Sequence, residues 1–291
     1  MDADGNRGIG PPVRKSSEGV EMREPGAENK AAAVLLYAFA LPLCFIAVLS
    51  GLGWLVRVLL PSLPDSRVRI LVELLAAVPV FLVFRQKLRE GEKRPCSPAR
   101  LLFCLLVPGL PCWALAAWNL FSGPLQCGFG SILAAAAGAF AVSLCEELAF
   151  RGAAFTGLCS LESGKEHAPL NAALLSSCAF GLVHLFNPEP VWTETLLQVF
   201  FAFAAGLYLC GVYRFSGTLL LPVLLHGIMD TGAFLLLPGS AAPSPWIQAG
   251  FSALFLVFGW ILLARPKSSG TSCLGRNHPM NHADRQKGNA E

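Results

Sequence analysis

The 291-residue chain is 54% apolar and only 14% charged, with a mean hydropathy of +0.55, and this composition excludes an ordinary soluble globule. A formal net charge of +3 is too small for a nucleic-acid-binding surface, so nucleic acid is excluded as a partner. The cysteines form no Cys-x-x-Cys pair, and Cys44, Cys104, Cys112, Cys145, Cys178 and Cys210 lie inside apolar runs, where they read as small buried hydrophobes.

Charge is segregated along the chain. Of the first 30 residues 11 are Asp, Glu, Lys or Arg, whereas Leu101 to Cys145 is a run of 45 residues with none. Residues 1–30 are therefore expected to be a disordered tail. The apolar stretch Ala31 to Val56 is uncharged over 26 residues, which is a membrane span rather than a removable signal peptide. Further apolar runs place spans at roughly 68–85, 100–121, 130–157, 169–186, 193–213, 216–236 and 246–264, the first running over 32–59. Pro, Gly and charge cluster in the breaks between them. The expected fold is an all-α polytopic bundle of about eight transmembrane helices, with N-terminal helices over 31–129, a core over 130–232, a last helix within 233–265 and a disordered tail at 266–291.

Basic residues orient this bundle. Arg85, Lys87, Arg89, Lys93 and Arg94 fill the second loop, Lys165 the fourth and Arg214 the sixth, and Arg265, Lys267, Arg276, Arg285 and Lys287 lie in the tail. An integral membrane protein with both termini cytoplasmic fits that bias.

Ionisable groups inside spans cost about 2.5–3.5 kcal/mol each at mid-helix, so those present need a reason. Glu73 has Arg69 one turn away as a partner. Glu146, Glu147 and Arg151 follow the uncharged run: Glu147 and Arg151 are i,i+4 neighbours and can pair, while Glu146 is rotated by about 100° away from that partner. His184 and His226 fall inside spans, and Asp230 lies one turn after His226. With the loop near 160–167 taken as a cytoplasmic tip, Glu146, His184 and Asp230 lie roughly 21–22 Å along their helices, and His226 about 15 Å. Three helices thus deliver them to similar depth, predicting one polar intramembrane pocket.

A free carboxylate beside imidazoles can take a proton from water while a second side chain steadies an oxyanion. The same set, His184, His226, Glu146 and Asp230, can alternatively hold a divalent metal such as zinc with a position left for water. Both routes lead to hydrolysis, and spacing alone does not separate them. The tail repeat Asn277-His278 and Asn281-His282 lacks metal-ligand spacing and reads as ordinary polar chain.

These residues carry a family resemblance. Glu146-Glu147-Leu148-Ala149-Phe150-Arg151 resembles the E-E-x-x-x-R motif of the CPBP family, the CAAX-protease and bacteriocin-processing intramembrane proteases; Phe180 to His184 resembles its F-x-x-x-H motif, and His226 to Asp230 its H-x-x-x-N/D motif. The resemblance covers roughly residues 130–232, in family order, and extends to type II CAAX prenyl endopeptidases. It implies an intramembrane endopeptidase acting on a membrane-associated peptide or protein, with Glu146 and His184 activating water, His226 and residue 230 stabilising the oxyanion, and Glu147 with Arg151 in support. CAAX-processing members tend to carry Asn where this chain has Asp230. The alternative is a catalytically silent membrane adaptor or immunity-type protein of the same fold. An ion-coupled transporter would need inverted repeats and broken helices, and the sequence suggests neither.

Overall fold

The computed structural model describes residues 32–91, 97–125, 128–161, 165–186, 191–236 and 244–264. Among them there is no strand, only an isolated bridge between Leu125 and Leu236, and the all-α expectation holds. Helix α1 spans Ala32–Leu59, with a π-helical turn at Leu36–Ala40, and α2 spans Asp65–Gly91. Helices α3 (Pro98–Leu106) and α4 (Leu110–Phe121) form a pair bent by 52°. Helix α5 runs over Phe129–Leu161, α6 over Ala168–Phe186, α7 over Trp192–Ser216, α8 over Leu220–Phe234 and α9 over Pro245–Ala264.

The count of eight spans is not reproduced. Five helices, α1, α5, α6, α7 and α9, are long and apolar enough to cross a membrane, and the α3–α4 pair makes six if taken as one span. The other two expected spans are shorter apolar stretches, Ile70–Pro79 and Leu220–Phe234. The 15 residues of α8 reach about 22 Å, against a hydrocarbon core of about 30 Å. In α2 charge flanks the apolar stretch on both sides, and the helix continues through Arg85, Lys87 and Arg89, which the sequence had placed in a loop. The side chain of Arg69, the expected partner of Glu73, lies outside the described residues, as do both tails.

The bend between α3 and α4 follows from Pro108 and Pro111, which lack amide hydrogens. Side chains take up the carbonyls near the break: the Trp113 indole donates to Leu105 O at 3.0 Å and the Tyr208 hydroxyl to Pro108 O at 2.5 Å. Backbone polar groups have no water to turn to in the hydrocarbon, so such substitutes are what permits a broken helix there.

Helix α7 is the packing centre. A core cluster joins Ala204, Ala205, Tyr208, Leu209 and Val212 of α7 to Cys112 and Leu115 of α4, Leu221, Leu225 and Met229 of α8, and Phe255 and Leu262 of α9. The approach of α9 depends on Gly259, where a Cβ would lie 2.9 Å from Tyr208 N. Van der Waals packing drives helix association in lipid, and small residues allow it to be close. At its C-terminus α7 ends on Gly217 with φ 75°, and the Gly217 amide donates to Tyr213 O. That left-handed cap turns the chain directly into α8, the helix that carries His226 and Asp230.

Candidate active site

The motif helix α5 is not uniform. It is α-helical over Phe129–Glu147, π-helical over Leu148–Phe155 and α-helical again over Thr156–Leu161. Glu146 and Glu147 therefore close the last regular turn, and Arg151 stands in the wider segment. Thr156 donates to Gly152 O at 2.5 Å where the π segment ends, and Ser176 of α6 donates its hydroxyl to Phe150 O at 2.9 Å. π-helical insertions recur at functional sites because they re-aim side chains along an otherwise regular helix.

The two carboxylates separate as their helical positions predict. Arg151 Nη1 donates to Glu147 Oε1 at 2.8 Å, with the Glu147 side chain fully buried and that of Arg151 nearly so. The Arg151 guanidinium also stands over the Phe180 ring, 4.5 Å from its centroid. A desolvated cation–π contact of that kind contributes about 2 kcal/mol or more. Glu146 instead faces a partly open space, with its side chain 20% exposed.

His226 of α8 joins these groups. Its Nδ1 lies 2.8 Å from the same Glu147 Oε1 that accepts from Arg151. Its Nε2 lies 3.4 Å from Asp230 Oδ2 and 3.7 Å from Glu146 Oε2. The His226 ring is buried, whereas the Asp230 side chain is 24% exposed. One edge of the imidazole is thus held by a buried carboxylate, and the other faces two accessible ones.

His184 enters from α6 through an aromatic plate. It sits at the start of a short 3-10 turn, His184–Phe186, with Nδ1 2.9 Å from Phe180 O. The Phe180 ring lies edge-on to both imidazoles, with centroids 5.1 Å from His184 and 6.1 Å from His226. The six expected residues are therefore gathered around Phe180 and His226, from α5, α6 and α8. Sequence reading assigned no role to Phe180 itself, although its i,i+4 spacing to His184 was the available signal. Ser143 and Ser176 were also missed, because a serine in an apolar helix looks the same whether or not its hydroxyl reaches a second helix.

Among the described residues no group of three or more His, Cys, Asp or Glu is arranged to hold a metal ion. The arrangement does fit acid–base chemistry: an accessible carboxylate, an imidazole oriented through its other nitrogen, and a second accessible carboxyl group one turn along α8.

Comparison with curated proteins returns no match, and comparison with solved structures returns none either. A family model does match: type II CAAX prenyl endopeptidase Rce1-like, over residues 128–232. That interval contains α5, α6, α7 and α8 up to Gly232, and with them Glu146, Glu147, Arg151, His184, His226 and Asp230. Residues 128–232 of this helical membrane protein are accordingly similar to the Rce1-like type II CAAX prenyl endopeptidase family, as the motif resemblance leads one to expect.

Proposed function

We propose that the protein is an intramembrane endopeptidase that hydrolyses a peptide bond in a membrane-associated protein or peptide, using water activated by Glu146. The observation that carries this reading is the convergence of Glu146, Glu147 and Asp230 on the single imidazole of His226. Four ionisable groups are not kept inside an apolar bundle without a task.

Glu146 takes a proton from a water molecule, and the resulting hydroxide adds to the scissile carbonyl carbon. His184, edge-on to the Phe180 ring, orients that water, as the family resemblance implies. Nδ1–H of His226 donates to Glu147, which leaves Nε2 facing the reacting group. When protonated, Nε2 donates to the developing oxyanion, and a protonated Asp230 adds a second donor. Collapse of the tetrahedral intermediate breaks the C–N bond, and Glu146 returns its proton to the leaving nitrogen. Arg151 acts behind Glu147, keeping that carboxylate directed at His226. Both termini face the cytoplasm in this reading, and the bilayer delivers the substrate laterally.

The test is a comparison of membrane proteomes from cells carrying the wild-type protein or Glu146→Ala. Uncut precursors are expected to accumulate with the variant. If Glu146→Ala keeps full cellular function and no precursor accumulates, the silent-adaptor alternative replaces this reading.

A further inference from the structure

We propose that Ser143 is a positioning residue of the site, setting the register between α5 and α8 on which the Glu147–His226 contact depends. The proposal rests on the endopeptidase reading above for its kinetic consequence, and on geometry alone for its structural one.

Ser143 is completely buried and lies one turn before Glu147 on α5. Its hydroxyl is 3.0 Å from Val223 O on α8 and 3.3 Å from Phe140 O on its own helix. The back-bond to Phe140 would satisfy a buried serine by itself. The shorter contact crosses to the other helix, and Val223 lies one turn before His226.

The two helices run antiparallel. A Cβ at Gly138 would approach Phe234 at 3.4 Å, one at Gly227 would meet the Phe140 ring at 2.5 Å, and one at Gly152 would approach Leu219 at 3.5 Å. Numbers on α8 fall as those on α5 rise. Helical side chains lean toward the N-terminus of their own helix. Glu147 therefore reaches back toward the Ser143 turn, and His226 reaches back toward the Val223 turn. Their 2.8 Å contact forms beside the Ser143–Val223 bond, making two polar rungs at one level of a glycine-lined interface. Apolar helix faces slide past one another at little cost, whereas a directional hydrogen bond in hydrocarbon does not. A shift of α8 along α5 would also move His226 Nε2 relative to Glu146, a separation of 3.7 Å. Ser143 touches none of the reacting atoms and acts through this register.

The experiment uses the full chain in lipid nanodiscs with Ser143→Ala, Ser143→Thr and Gly227→Ala, the last forcing a methyl against Phe140. Two readouts are taken: cleavage of a quenched-fluorescent farnesylated CAAX peptide, and the 15N resonances of His226. Ser143→Ala is expected to lower kcat between about ten- and a hundredfold, as for a misplacement near 1 Å, with KM changed less than about twofold and the Nδ1 resonance shifted. Ser143→Thr, which keeps the hydroxyl, should restore both, and Gly227→Ala should reproduce the alanine phenotype. Wild-type kcat together with a wild-type His226 resonance in Ser143→Ala overturns the proposal, as does failure of Ser143→Thr to restore a folded Ser143→Ala defect. If the wild-type protein cleaves no peptide, the endopeptidase reading has failed, and the His226 resonance still decides the role of Ser143.

Discussion

Glu147 and His226 are joined at 2.8 Å across the α5–α8 interface, and the Glu147 oxygen that makes this contact also accepts from Arg151. One carboxylate oxygen therefore ties an arginine of its own helix to a histidine of another. In the proposed mechanism Glu147 serves architecture, and its sequence neighbour Glu146, rotated to the accessible side, serves chemistry.

That division predicts opposite phenotypes for two adjacent substitutions. Glu146→Gln should abolish peptide cleavage without altering thermal stability, because a neutral amide cannot accept the water proton. Glu147→Gln should lower stability and activity together, since it weakens the bonds to Arg151 and His226 at once. Thermal unfolding and turnover measured on the same preparations distinguish the two, and equal stability losses would contradict the division of labour.

Arg151 is the partner that makes a buried Glu147 tolerable. Arg151→Leu removes the guanidinium partner of that fully buried carboxylate, a loss of about 3–5 kcal/mol. Expression yield and melting temperature should both fall. A variant that expresses and melts like wild type would show the pair to be energetically idle.

Asp230 separates two chemistries. If residue 230 donates to an oxyanion, Asp230→Asn supplies a permanent N–H donor and activity is retained or raised. If it is an anionic metal ligand, the same change lowers activity and bound metal in parallel. We expect retention, with purified protein carrying no stoichiometric metal. Turnover and elemental analysis of the same samples check both.

Orientation is testable independently of catalysis. Reporter fusions after Arg94 and after Arg265 should both report the cytoplasmic side. A signal from the opposite side at either point would undo the even-crossing arrangement, and with it the common depth inferred for the polar groups.

Much of the site was legible because membrane interiors penalise charge. Against a 45-residue uncharged run, Glu146, Glu147 and Arg151 could not be accidental, and helical periodicity alone assigned the ion pair to Glu147 rather than to Glu146. Counting residues from the loop ends likewise brought α5, α6 and α8 to one depth. Span lengths were less legible: apolar runs around α2 and α8 looked continuous, but charge in one and the Gly217 turn before the other shorten what can cross.

The sequence by itself determined the all-α membrane character, the identity of the polar residues and which of them share a helix face, since all three follow from composition and from a period of about 3.6 residues. Only the tertiary structure decided what those residues do to one another across helices. The π-helical segment at Leu148–Phe155, the edge-on contacts of the Phe180 ring with two histidines, and the hydroxyl of Ser143 on Val223 O depend on distances between segments far apart in the chain. No local pattern encodes those distances, because they are set by how closely glycines let the helices approach and by which hydrogen bonds then come within reach.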